Sequence, residues 1–121
     1  MRSETLKAKN IELVPGANLV DEVWEGRPAL PQEPVFILDD KYTGESVKAK
    51  YERIAEKLDG ADMMVVATLD DIAWLTNMRG NDIEYNPLFF SYLIFHNKKE
   101  GTDYKVDLFI SKVKVATPEV A

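Results

Sequence analysis

Four of the six prolines in this chain, Pro15, Pro28, Pro31 and Pro34, fall within residues 15–34. Each removes a backbone donor and biases its predecessor toward extended geometry, so residues 25–34 read as an extended connector. The chain divides there. Ahead of the connector, Glu4 to Val14 reads as a helix remnant followed by a short apolar strand, Ile11-Glu12-Leu13-Val14. A short helix is expected over Leu19–Trp24, with Asn18 as its cap and Leu19, Val20 and Val23 on one face. Residues 1–34 hold too few apolar side chains to enclose a core. They read as the tail of a preceding domain plus a Pro-rich linker.

From Val35 the pattern becomes that of an α/β domain, and residues 35–121 read as its front portion. Val35–Leu38 is a short strand or an extended entry. Thr43 is the expected N-cap of a helix carrying Val47, Tyr51, Ile54, Ala55 and Leu58 at helical spacing, with Gly60 as the stop. The continuous apolar run Met63–Ala67 predicts a strand covered on both faces. Asp70 or Asp71 caps a short helix bearing Ile72, Trp74 and Leu75. Leu88–Phe95 predicts an interior strand, with Leu88, Phe90, Tyr92 and Ile94 on one face and Phe89, Ser91, Leu93 and Phe95 on the other. Tyr104–Ile110 alternates as a second strand, and the polar stretch Asn97–Asp103 is the turn between the two. The fold class is α/β: a mixed β-sheet with flanking helices. The ending Val113–Ala121 offers no helix to cover the second sheet face, so the domain reads as incomplete. Self-association through the sheet, most simply as a dimer, is the expected consequence.

Composition narrows the chemistry. With 45% hydrophobic and 30% charged residues the chain is composed like a soluble globular protein. No stretch approaches the roughly 20 apolar residues of a membrane-spanning helix, and no membrane partner is expected. The absence of cysteine excludes a disulfide framework, thiolate metal sites and a Cys nucleophile, and fits a reducing compartment. A net charge of −6 and a pI near 4.8 disfavour a nucleic-acid partner. No serine sits in a nucleophile elbow and no glycine-rich phosphate loop exists. The single histidine, His96, closes a strand and reads as structural. The acidic pairs Asp39-Asp40 and Asp70-Asp71 sit where turns and helix starts want side-chain oxygens, and read as caps rather than metal ligands. No catalytic residue, metal ligand or cofactor is expected in this chain.

Residues Leu69–Pro87 form the most unusual stretch: a short apolar helix, an Arg-Gly-Asn-Asp loop, then Asn-Pro ahead of the aromatic run. Arg79 has two readings. Its planar fork can clamp a carboxylate or carbonyl, or it can pair with Asp82 or Glu84 and fix the loop.

Leu69-Asp70-Asp71-Ile72-Ala73-Trp74-Leu75, Asn77-Met78-Arg79-Gly80-Asn81-Asp82 and Asn86-Pro87-Leu88-Phe89-Phe90-Ser91-Tyr92 closely resemble a segment of the three-domain, cytosolic-type Xaa-Pro aminopeptidases. These belong to the creatinase/prolidase-like metallopeptidases. Asn18–Trp24 with Arg27-Pro28 resembles the end of that family's first domain, and Tyr42-Thr43-Gly44 the opening of its second. Thr76 and Met78 depart slightly, standing where the family often has larger or branched apolar residues. The resemblance implies a creatinase N-terminal-domain-like fold and a cytoplasmic location. It also implies a catalytic domain elsewhere in the same polypeptide, holding two divalent metal ions, commonly manganese, that cleave a peptide substrate before proline. This chain would then be a non-catalytic, inactive region that shapes substrate access and supports a homodimer. Arg79, Asn81 and Asp82 would lie on the loop facing the catalytic domain, in a substrate-access or substrate-binding role. The alternative is a stand-alone protein-interaction module derived from that domain, without peptidase activity.

Overall fold

Helix α1 (Arg2–Lys7) precedes all four prolines, helix α2 (Leu19–Val23) lies between Pro15 and Pro28, and strand β1 (Phe36–Ile37) follows Pro34, with no helix or strand between α2 and β1. The structure, a computed structural model, describes residues 2–117. The expected end of the chain, residues 118–121, lies outside the described residues. Asn18 caps α2 as its sequence predicts, its Oδ1 accepting from Val20 N at 3.1 Å. Ile11–Val14 form no strand: the four residues are exposed and lie against no partner strand. A lone tetrapeptide cannot satisfy its own backbone as a strand. The linker is nevertheless tied down at its far end. Val35 N donates to Lys114 O at 3.0 Å, and Ser111 Oγ donates to Gln32 Oε1 at 2.6 Å.

Two helices, not one, occupy the next stretch. In α3 (Asp40–Thr43), Asp39 Oδ1 accepts from Lys41 N at 2.9 Å, and Gly44 ends the helix at φ 74°. That left-handed backbone costs glycine nothing, so the chain turns and Ser46 opens α4 (Val47–Lys57), its Oγ accepting from Ala49 N at 3.2 Å. Thr43 therefore closes α3 rather than capping α4, and its hydroxyl donates to Glu45 O.

Strand β2 (Met63–Val66), helix α5 (Leu69–Thr76), strand β3 (Met78–Arg79), strand β4 (Tyr92–Glu100) and strand β5 (Asp103–Phe109) follow, then a 3₁₀ turn at Lys112–Val115. The sheet order is β2-β4-β5, and β1 pairs with β3 in a separate ribbon. Every strand pair among the described residues is antiparallel, with Val66 opposite Leu93 and Phe95 opposite Val106. The α/β class and its flanking helices stand.

Both ends of β4 differ from the sequence reading. Leu88–Ser91 stay out of the sheet: Leu88 O accepts from Asp82 N and Phe90 N donates to the Asp82 carboxylate, in the loop before them. Beyond Phe95 the hairpin continues through a register shift to a two-residue turn, Gly101-Thr102, where a longer turn was expected. Polar pairs between the hairpin and α4 hold this extension: Lys99 Nζ lies 2.7 Å from Glu52 Oε1, and Lys48 Nζ 2.7 Å from Asp103 Oδ1.

The predicted alternation in the aromatic stretch is observed. Phe89, Ser91, Leu93 and Phe95 are buried, and the Phe95 ring lies edge-on to Tyr51 of α4 at 5.5 Å. They join Val35, Val66, Ile72, Leu75 and Met78 in the core. The other face is open, which corrects the expectation of two covered faces for β2 and for the aromatic strand. Val65 is 67% exposed and Tyr92 64%, with Met63 and Phe109 also exposed. The register puts Val65, Ile94, Tyr92 and Phe109 on that one face. Helices α4 and α5 pack on the opposite side.

Candidate functional site

Helix α5 positions the loop that the sequence singles out. Its N-cap is Thr68, with Asp70 and Asp71 in the first turn, where the helix dipole favours carboxylates. Thr68 Oγ1 donates to Asp71, so the cap falls two residues ahead of the pair expected to supply it. The helix ends at Asn77, left-handed at φ 54°, the residue type that follows glycine in preference there. The Asn77 side chain is buried. Its Nδ2 faces Asp40 Oδ1 at 3.0 Å, Thr43 Oγ1 at 3.2 Å and Glu45 O at 3.0 Å, tying α3 to the end of α5. Its Oδ1 accepts from Lys50 Nζ, which also donates to Trp74 O at 2.7 Å.

Lys50 is 1% exposed, and burial pushes its ammonium below the usual lysine value. The indole of Trp74 lies 4.7 Å from Lys50 Nζ and 5.2 Å from the Arg53 guanidinium. Arg79 points the same way. Its Nη1 donates to Ala73 O at 2.6 Å and to Met78 O at 2.8 Å, neutralising the carbonyl end of α5.

Beyond Arg79 the loop is fastened at its base. Gly80 lies so close to Phe89 that an added Cβ would stand 2.7 Å from the Phe89 Cβ. Gly80 N donates to Pro87 O at 3.3 Å, and Asp82 N to Leu88 O at 3.1 Å. The Asp82 carboxylate accepts from Phe90 N at 2.6 Å and pairs with Lys114, the two side chains being 0% and 3% exposed. At the tip, Asn86 N donates to Ile83 O at 3.1 Å and closes a tight turn over Glu84-Tyr85.

The three residues singled out by sequence thus share one loop but not one surface. Arg79 is half-buried on helix carbonyls, Asp82 is buried on Lys114, and Asn81 is exposed. Arg79 meets carbonyls, as one of its two sequence readings allows, but they are the backbone carbonyls of Ala73 in α5 and Met78 in β3, and it forms no pair with Asp82 or Glu84. Sequence reasoning missed Lys50, Asn77 and Lys114. Lys50 carried a signal, since it occupies the apolar spacing between Val47 and Ile54 on α4. Lys114 carried none.

His96 pairs with Asp107 across β4 and β5, Nε2 to Oδ2 at 2.7 Å, on the open sheet face. Among the described residues no three His, Cys, Asp or Glu side chains converge, so the donor set does not fit a two-metal centre. A groove of about 440 Å³ runs between the linker and the sheet, lined by Leu30, Phe90, Tyr92 and Phe109 among others.

Residues 26–121 match the Creatinase/Prolidase N-terminal domain family. The chain belongs to that family. It is 44% identical to a probable Xaa-Pro aminopeptidase P of Coprinopsis cinerea over 93% of its own length and 20% of the relative's. It is 39% identical to Xaa-Pro aminopeptidase 1 of Dictyostelium discoideum, over 91% of its own length and 18% of that protein. The crystal structure of X-prolyl aminopeptidase from Caenorhabditis elegans, described as a cytosolic enzyme with a di-nuclear active site, matches 97% of the chain and 18% of the enzyme. Its TM-score is 0.84 at 39% identity. This creatinase N-terminal domain thus spans about a fifth of the relatives it matches, and the match runs through the α5 loop. Among the described residues no helix is long and apolar enough to cross a membrane.

Proposed function

We propose that this creatinase N-terminal domain is the non-catalytic N-terminal region of a cytoplasmic Xaa-Pro aminopeptidase. Residues 1–34 are the tail of a preceding domain with its linker, and residues 35–121 the front of the next. The catalytic domain, on the same polypeptide, carries two divalent ions, manganese by preference, and hydrolyses the bond before proline. The region described here shapes the entrance for the peptide and supports a homodimer. The observation that carries this reading is the 39% identity, at a TM-score of 0.84, to an enzyme with a di-nuclear site. Among the described residues no set of donors forms such a site, and this reading puts the chemistry in another part of the polypeptide.

Within this reading Arg79 and Asp82 hold the loop and Asn81 is the group free to meet substrate. Arg79 fixes the loop to α5 and Asp82 fixes it to Lys114. The test is a chimera in which this chain replaces the matching fifth of the Caenorhabditis elegans enzyme. The chain alone, with manganese, should release no N-terminal residue from an Xaa-Pro peptide, and the chimera should release it. Asn81→Ala in the chimera should raise KM for longer peptides and leave kcat on a dipeptide unchanged. Metal-dependent release by the chain alone, or an inactive but folded chimera, overturns the reading. The second outcome favours an interaction module, to which the open apolar sheet face also points.

A further inference from the structure

The tip of the α5 loop combines rigidity with side chains that have nothing to do inside the chain. Tyr85 is 98% exposed and holds φ 62°, a left-handed backbone that is strained for a non-glycine residue. Beneath it the loop is overdetermined by the Ile83–Asn86 turn, the close contact at Gly80 and the buried Asp82–Lys114 pair. Strain of this kind persists only where the surroundings enforce it. Yet Asn81, Glu84, Tyr85 and Asn86 make no side-chain hydrogen bond, ion pair or ring contact among the described residues. With Ile83 and Pro87 they line a shallow cleft of about 310 Å³.

The chemistry of that cleft has one sign. It offers a carboxylate, two side-chain amides and a phenol ring with free faces, and residues 80–91 contain no lysine or arginine. The neighbouring cations are engaged elsewhere: Arg79 on backbone carbonyls and Lys114 on Asp82. Four other rings carry a cation, whereas among the described residues the exposed Phe36, Phe90, Tyr92 and Phe109 carry none. Arg27 lies over Trp24, Lys41 over Tyr42, Lys50 and Arg53 over Trp74, and Lys99 over Tyr104. Tyr85 has none.

We propose that the Glu84–Tyr85 turn is a docking site for an arginine side chain of a partner peptide segment. The guanidinium stacks on the Tyr85 ring while its fork reaches the Glu84 carboxylate and an asparagine carbonyl oxygen. A planar, weakly hydrated cation with several donors fits such a cleft better than a compact ammonium does. The proposal stands independently of the aminopeptidase reading.

The full chain, titrated with N-acetyl-Gly-Arg-Gly-amide, should show shifts of the Tyr85 ring protons by NMR, weakened as salt is raised. Tyr85→Gly and Glu84→Gln should each weaken binding about three- to five-fold. Tyr85→Gly relieves the left-handed strain, so its Tm should equal or exceed that of the parent, and loss of binding is then not loss of fold. The lysine peptide should bind more weakly than the arginine peptide. The proposal is overturned if the neutral N-acetyl-Gly-Gly-Gly-amide shifts the same signals equally, or if free-amine Gly-Gly-Gly matches the arginine peptide. It also fails if the arginine peptide gives no shift at tens of millimolar, if both variants bind like the parent, or if Tyr85→Gly melts several degrees lower.

Discussion

Lys50 sets an ammonium where apolar spacing calls for a leucine, and oxygen atoms of Trp74 and Asn77 are the acceptors that meet it. Its stem completes the inner face of α4, and its head closes the carbonyl end of α5. Burial is the largest influence on its titration and lowers it from 10.5. Between the lowered value and 10.5 the unfolded chain therefore binds the proton more tightly than the folded one, and the Lys50 contribution to stability rises with pH. Urea midpoints of the parent and of Lys50→Met, followed as pH climbs toward 10.5, should shift relative to each other in the parent's favour. Parallel profiles would show that the ammonium titrates as if in water. Asn77 is the companion of this arrangement. A glycine there would turn the chain equally well but would leave Lys50, Asp40 and Glu45 without their common partner.

At the scale of elements, adjacent residues in one stretch have opposite fates. Phe89 is buried against Gly80 and the core, while Phe90 lines the groove beside Leu30 and is only partly covered. Phe89→Ala should cost about 3–5 kcal/mol of stability, as deletion of a fully buried ring does, and Phe90→Ala well under half of that. Chemical denaturation of the two variants checks the order, and equal losses would mean that the groove side is packed too.

What could be read from the sequence follows the range of the interactions involved. The stripe of α4, the short helix α5 and the two-residue alternation through Phe95 are local, periodic signals, and they were legible. The split at Gly44 depends on Ser46 being a better cap than Thr43, a contest that spacing alone does not decide. Leu88–Ser91 look like strand and are not, because Asp82 takes the Phe90 N–H and removes it from the sheet. In the candidate site, Arg79, Asn81 and Asp82 were found as a group through their resemblance to a known segment. Their partners were not legible: Ala73 O belongs to the backbone, and Lys114 lies 32 residues from Asp82.

For the whole molecule the dominant fact is a three-stranded sheet with helices on one side only among the described residues. Val65, Tyr92, Met63 and Phe109 present apolar surface to water, more than isolated exposed residues would. The full chain should self-associate through this face, and sedimentation at increasing concentration should report dimers. Val65→Lys, which sets a charge amid the face without disturbing the core, should return it to monomer. A parent chain that stays monomeric at high micromolar concentration would show that this surface tolerates water unaided.

The buried pair at Asp82 also has a consequence for the order of events during synthesis. A ribosome that has just delivered Asp82 must add 32 more residues before its partner cation, Lys114, arrives. Until then the carboxylate has Phe90 N–H as its nearby donor, and leaving it buried without a counter-charge would be costly. Ser111 meanwhile must reach back 79 positions to Gln32. The nascent loop therefore has to remain open while β4 and β5 are being made, and it shuts only when the Lys112–Val115 turn arrives. Folding of this region is paced by its most distant contacts, so the loop that carries Tyr85 is among the last parts of the region to take shape.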